Sequence, residues 1–338
     1  MSLQVWPLTS RERPRLILIG NHDITLDTDF YAQYGLYFHN QDPQDPSKCQ
    51  ELLDGSSSIL WLKHESAVIK LSSLTGPRTF FKIFGSPFSP AKGMWAFGYG
   101  LEEAQQIWDR IPLDSDIVVT HTPPKYHCDE AKERRAVGCE GLREALWRIR
   151  PRLAVCGHVH EGRGVERVQW DLEASNIKYK ESSVERWQDP AKDNRKLSLV
   201  DLTTKGGKPL QNDGSLGTGD TTIGVDAPKG PTLSTAQNVL ANSDAKPGPK
   251  PTALLGISRV TTSLVALPKE TIPPATRGQG GIPPSQRCDL EALSGRMGRQ
   301  ETCIINAAIM ASSWPHRAGG KKFNKPVVVD IELPAWEP

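Results

Sequence analysis

A layered α/β fold is what this sequence predicts, and three observations carry it. Three short polar segments each follow a run of β-branched and aliphatic residues. Gly20-Asn21-His22-Asp23 follows Leu16 to Ile19, Thr120-His121-Thr122-Pro123-Pro124 follows Ile117 to Val119, and Gly157-His158-Val159-His160 follows Leu153 to Val155. Such runs read as buried strands, and α/β sheets bind ligands at the C-terminal ends of their strands, so the three segments are expected to converge. Between Arg15 and about Trp170, strand-like runs alternate with helix-period stripes, the grammar of βαβ units. Finally, 338 residues with 37% hydrophobic content and nine Trp suffice for a substantial core.

Taken in order, strands are expected at Arg15 to Ile19, Ile59 to Leu62, Ala67 to Leu71, Thr79 to Phe84, Asp116 to Thr120, Leu153 to Cys156 and Gly164 to Trp170. Leu101, Ala104, Ile107, Trp108 and Ile111 recur at spacings of three and four, which predicts a helix over 101–111 that Pro112 ends. Leu142, Ala145, Leu146 and Ile149 do the same for a helix over 138–149, ending before Pro151. The region from Asn176 to Asp201 is charged up to Asn194; its short apolar run, 197–200, suits an edge strand.

Residues 205–300 differ in kind. They hold 14 Gly and 11 Pro and no Phe, Tyr or Trp, so they bury too little apolar surface to offset the entropy of ordering and are expected to form a disordered insertion. Two further strands are expected at 302–307 and 326–333. Being too few to stand alone, they are expected to return to the first sheet, giving a domain of 1–204 and 301–338 interrupted by 205–300.

The net charge of +2, with no concentrated Lys/Arg tract, gives no electrostatic case for nucleic-acid binding. No apolar stretch approaches the roughly 18–20 residues that span a bilayer. Residues 1–15 lack the apolar core and cleavage site of a secretory signal, and the six Cys form no C-x-x-C pair. An intracellular protein with reduced thiols is expected, in the cytosol or nucleus.

Imidazole nitrogens joined by an amide oxygen suit a divalent transition metal, Mn, Fe or Zn, better than Ca or Mg, which prefer oxygen cages. His158 and His160 are one residue apart. In a strand both rings share a face, and in a turn they splay apart. Asp23 fits a role in holding its loop. His64 and His127 belong to no constellation and read as surface residues, as His39 and His316 do with less contrast. Trp95 and Phe97 stand beside glycines, a pattern met in core packing under a loop as well as in pocket walls.

Three such motifs in this order resemble the later motifs of the calcineurin-like metallophosphoesterase superfamily, in a fungal-type branch. Supporting segments are Phe84-Gly85-Ser86-Pro87-Phe88, residues 93–98 (GMWAFG), residues 158–164 (HVHEGRG), Asn306-Ala307-Ala308 and Pro326 to Pro334. The resemblance covers Arg15 to about Asp201 and Glu301 to Pro338. It implies a β-sandwich flanked by helices, with Asn21, His121 and His158 on one metal ion and His160 on a second. It also implies hydrolysis of a small phosphomonoester or phosphodiester by metal-activated hydroxide, with His22 as the general acid that protonates the leaving group.

The departures are equally specific. The superfamily carries a D-x-H motif and then a G-D-x-x-D motif before its G-N-H-D segment, and neither occurs here. Relative to that family the chain resembles an N-terminally truncated form with its first strands missing. That implies an impaired enzyme or the alternative of a non-catalytic remnant, a pseudoenzyme that binds a single metal or acts as a scaffold.

Overall fold

The computed structural model describes residues 5–8, 15–56, 59–72, 78–131, 136–172, 179–190, 196–215, 298–311 and 320–335. Its centre is an eight-stranded mixed sheet. From one edge to the other this sheet contains β1 (Val5–Leu8), β4 (Glu65–Ser72), β5 (Arg78–Ser86), β8 (Ile117–Thr120), β9 (Leu153–Cys156), β13 (Glu301–Asn306), β10 (Gly164–Trp170) and β11 (Glu181–Arg186). The middle four, β5, β8, β9 and β13, are mutually parallel, with Phe84 opposite Val118, Val118 opposite Ala154 and Ala154 opposite Ile304.

Parallel strands covered on both faces need apolar side chains on both, which accounts for the unbroken Ile117-Val118-Val119 and Ile304-Ile305 runs. Phe84, Val118, Ala154, Val168 and Ile304 pack on one face with Trp108 of α3 (Ala104–Trp108) and Leu142, Ala145, Leu146 and Ile149 of α4 (Glu140–Ile149). Burying Leu142, Leu146 and Ile149 contributes about 1.5–3 kcal/mol apiece. The helix stops where Arg150 turns into the left-handed region (φ 45°) ahead of Pro151.

The opposite face is covered by two small parallel sheets. Ile83 and Val119 cluster with Leu16, Leu18, Leu60 and Leu62 beneath the pair β2 (Arg15–Ile17) and β3 (Ile59–Trp61). Leu153, Val165, Cys303 and Ile305 cluster with Val200, Leu202, Val327 and Val329 beneath β12 (Ser198–Asp201) and β14 (Val327–Asp330). The strand leading to Gly20 therefore lies in a different layer from those leading to His121 and His158. In the apolar run at Leu16 to Ile19 only Ile19 is fully buried, Leu16 to Leu18 being half-buried; its pattern carries no information about which sheet it joins. The result is an α/β architecture of three layers.

Several elements depart from expectation. A strand, β1, precedes β2 and pairs in parallel with β4. The helix expected over 101–111 is a 3₁₀ turn, Leu101–Glu103, followed by the short α3, because Leu101 is exposed and the buried stripe begins at Ala104. Two unanticipated helices, α1 (Thr28–Phe38) and α2 (Pro46–Asp54), follow the first motif, each with an aspartate cap: Asp27 accepts from the Phe30 N–H, and Asp45 from Ser47 and Lys48. A two-residue parallel pair, β6 (Ser89–Pro90) with β7 (Gly98–Tyr99), frames the loop between them.

The expected insertion is narrower than 205–300. Residues 205–215 and 298–300 are part of the packed structure, and the remainder lies outside the described residues. Buried Asn212 donates from Nδ2 to the carbonyls of Arg150 and Glu301, 2.8 Å each, and pairs in an isolated antiparallel bridge with buried Arg299. Arg299 donates in turn to the carbonyls of Ser115, Gly214 and Ser215. Polar groups of this kind inside a low-complexity run escape a composition window.

This clasp predicts two different deletion outcomes. Joining Ser215 to Gly298 through a short Gly/Ser linker should leave the thermal midpoint within a few degrees of the parent, since closure entropy depends only logarithmically on loop length. Removing 205–300 entire should lower it sharply by stripping Asn212 and Arg299 from the core. Equal midpoints for the two deletions in a thermal scan would refute the clasp.

Candidate metal centre

Because β5, β8, β9 and β13 are parallel, Ser86, Thr120, Cys156 and Asn306 end at one edge of the sheet, and the motif residues follow from there. Backbone bonds lace these ends together. The His121 N–H donates to the Ser86 carbonyl at 3.0 Å, and the Gly157 N–H to that of His121 at 3.2 Å. From the second layer, Gly20 passes directly against the His121 ring. A Cβ at position 20 would lie 2.3 Å from the imidazole, so the approach requires glycine.

Three of the expected ligands meet. Asn21 Oδ1 lies 2.7 Å from His121 Nε2, and His158 Nδ1 lies 3.0 Å from the same nitrogen. The 157–160 segment is a turn, which decides between the two arrangements open to the His158/His160 pair. His158 is left-handed (φ 62°), the Val159 N–H folds back to the Gly157 carbonyl, and the Gly162 N–H to that of Val159. A left-handed non-glycine costs about 1–3 kcal/mol and persists where neighbours hold it. Here the holder is Asn306, fully buried, whose Nδ2 donates to the carbonyls of Val159 (2.8 Å) and Cys128 (2.9 Å). His160 makes no hydrogen bond to the trio, its buried Nδ1 being without a partner, yet it lies within electrostatic range of His121 and His158.

Burial lowers the pKa of His121 to about 3, helped by the neighbouring His158, His22 and His160. Burial likewise takes His158 to about 4, with His160, His22 and Lys92 adding to it. Both rings are thus neutral near pH 7, with lone pairs available. His22 is lowered too, by burial first; Asp23 opposes the shift and His160 reinforces it.

His22 itself is exposed and stacks on Trp95, ring centroids 4.0 Å apart and planes at 56°. Both line a cavity of about 250 Å³, together with Asn21, Lys92, His158 and Glu161. Asp23 turns away from it and binds its own loop, its Oδ2 accepting from the Gly20 N–H at 2.7 Å. Trp95 is 37% exposed over the cavity, whereas Phe97 packs beneath the loop against Phe88. A larger cavity, about 590 Å³, lies beside Arg152, Asn212 and Asp213 at the far end of the sheet, remote from the imidazoles.

Two histidines expected at the surface are not there. His64 is half-buried in an aromatic box of Phe84, Phe88 and Trp108, its pKa lowered to about 4 by burial. His127 is 2% exposed, with Nδ1 3.1 Å from Glu166 and Nε2 3.1 Å from Glu181. His39 caps α1 beside the Tyr31 hydroxyl, and His316 lies outside the described residues.

For His127, burial opposes the charged ring and its two carboxylate hydrogen bonds outweigh that, raising its pKa. A raised folded-state pKa stabilises the fold below the unfolded value near 6.5, and the contribution is lost as pH climbs through the raised value. The stability gap between the parent and His127→Gln should be widest below about pH 6.5 and shrink as pH rises through the raised value in denaturant titrations. A gap independent of pH would mean a neutral ring.

Asn21 Oδ1 and His158 Nδ1 each lie within 3.0 Å of His121 Nε2, and imidazole nitrogen with amide oxygen is donor chemistry that suits part of the shell of a divalent transition metal. Among the described residues no group of three or more His, Cys, Asp or Glu is placed to hold a metal; beside the two imidazoles stands the Asn21 amide oxygen. No carboxylate joins the set. The sequence-level reading overlooked Asn306 as the residue that shapes the turn, although it stood in a quoted segment. It also overlooked Asp27, which caps α1 and accepts from the Phe97 N–H at 2.8 Å.

No protein-family model matches the chain. Curated relatives do. Metallophosphoesterase domain-containing protein 1 of Homo sapiens is 32% identical over 162 residues, 45% of this chain and 46% of that protein. A UPF0046 protein of Caenorhabditis elegans is 31% identical over 168 residues, 44% of this chain and 39% of its own length. A protein of Emericella nidulans named probable rhamnogalacturonate lyase C is 34% identical over 169 residues, which take in 49% of this chain but only 14% of that protein. The chain thus spans about half or less of the length of these relatives. Of these names, one refers to a metallophosphoesterase domain, one gives no activity and one refers to a lyase, so the likeness is to a metallophosphoesterase-like family over part of the chain.

Proposed function

We propose that the chain is a metal-dependent phosphoesterase acting on a small phosphomonoester or phosphodiester. Asn21, His121 and His158 would hold a Mn, Fe or Zn ion, with His160 at its flank. The convergence of these three donors from two layers of the fold carries the reading. A bound ion of this kind polarises a phosphoryl oxygen and lowers the pKa of a coordinated water. The chain's own residues do the rest. His22 stands exposed at the cavity mouth beside the Trp95 indole, where its ring can give a proton to the departing oxygen. Lys92 adds positive charge beside the phosphoryl group. Described cysteines are all free, which fits a reducing compartment, the cytosol or nucleus; no helix among the described residues is long and apolar enough to cross a membrane.

One observation favours a second reading, a non-catalytic single-metal protein. The donor trio is neutral, and without a carboxylate two like-charged ions are not held side by side. Elemental analysis after dialysis against Mn or Zn, paired with hydrolysis of bis(4-nitrophenyl) phosphate, separates the readings. The expected result is fewer than two equivalents of metal with turnover that falls about a hundredfold in His22→Ala. Metal without turnover would select the second reading, and no metal at all would overturn both.

A further inference from the structure

Resting on that reading, we propose that the Lys92–Trp95 turn is a leaving-group subsite that selects phosphoesters whose departing group is a planar aromatic ring. If His22 protonates the departing oxygen, whatever that oxygen carries must lie against the neighbours of the His22 ring. The neighbour is an indole. Trp95 lies 4.0 Å from His22 centroid to centroid and 5.5 Å from Phe38, and it keeps more than a third of its surface open beside the cavity.

The wall is built rather than incidental. The Ala96 N–H donates to the carbonyl of Asn21 at 3.2 Å, so the residue after Trp95 is tied directly to a metal-ligand candidate. Phe97 is fixed to Asp27 at 2.8 Å, and the Ser89 and Ala91 N–H groups clamp the loop from its other side through the carbonyls of Phe97 and Tyr99. Gly93, at φ 73°, supplies the turn that brings Lys92 and Trp95 to the same cavity. Lys92 makes no ion pair among the described residues and sits within electrostatic range of His158, on the side where a phosphoryl group would rest. The cavity, about 250 Å³, lies at the small end of ligand pockets, a size that suits one ring beside a phosphoryl group.

Calorimetric titration of the full chain in Mn-containing buffer with inorganic phosphate, methyl phosphate and phenyl phosphate tests this without requiring turnover. Phenyl phosphate should bind about three- to tenfold more tightly than methyl phosphate, the range expected of ring stacking. Trp95→Ala should abolish that preference and leave inorganic phosphate unchanged, Trp95→Phe should retain most of it, and Lys92→Ala should weaken all three probes alike. Equal binding of phenyl and methyl phosphate, or a preference that survives Trp95→Ala, overturns the subsite while leaving the phosphoesterase reading in place. Failure of every probe to bind overturns both.

Discussion

Replacing Asn306 with alanine is expected to lower stability by about 2–4 kcal/mol and to weaken metal binding in the same protein. Three hydrogen bonds disappear at once, those to the Val159 and Cys128 carbonyls and the one its Oδ1 accepts from the Ala308 N–H at 2.9 Å. All lie in the interior, where each orphaned backbone group costs about 1–3 kcal/mol, partly relieved by relaxation. The second effect follows from position. Asn306 pins Val159, which lies between His158 and His160, so its loss frees the left-handed turn that aims His158 at His121. Asn306→Asp should fare no better, because a carboxylate cannot donate to two carbonyls. Urea unfolding and metal titration together check this; a loss below about 1 kcal/mol would mean that water replaces the amide.

His121→Ala is expected to remove tight metal binding, weakening it about a hundredfold or more, while His22→Ala leaves it within a few-fold of the parent. His121 Nε2 is the one atom that approaches both other donors, at 2.7 and 3.0 Å, so no pair of donors survives its deletion with the observed contacts. Gly20→Ala should mimic part of this loss, since the added methyl occupies the space of the ring. Retention of parental affinity in His121→Ala would exclude the trio as the binding site.

The parts of the fold legible in sequence are those where period and burial coincide. The stripe Leu142, Ala145, Leu146, Ile149 and the runs at β8, β9 and β13 are apolar because both faces of the central sheet are covered, and local pattern reports that coverage. The edge strand β11 is charged and largely exposed, so nothing in Glu181-Ser182-Ser183-Val184-Glu185-Arg186 distinguishes it from a loop. For α1 and α2 the signals were present, Asp27 before one and Asp45-Pro46 before the other, but their apolar faces are too lightly buried to give a stripe. The candidate centre was legible because its residues come in tight clusters after strands. His127 was not, because its partners lie 39 and 54 residues away and only the β10–β11 pairing brings them to it. Trp95 was ambiguous for a related reason: a tryptophan beside glycines says that a loop is near, and only its contact with His22, from a segment some seventy residues earlier, shows that the ring borders the cavity.

The bridge between Asn212 and Arg299 makes the packed domain itself hold together the two flanks of residues 216–297. The Asp213 N–H reaches the Gly298 carbonyl at 3.2 Å, so the outgoing and returning strands touch before the intervening residues begin. That junction packs on Arg150 and Arg152, just before β9 begins, whereas the histidine segments follow the opposite ends of the strands, so the two features are anchored at different ends of one sheet.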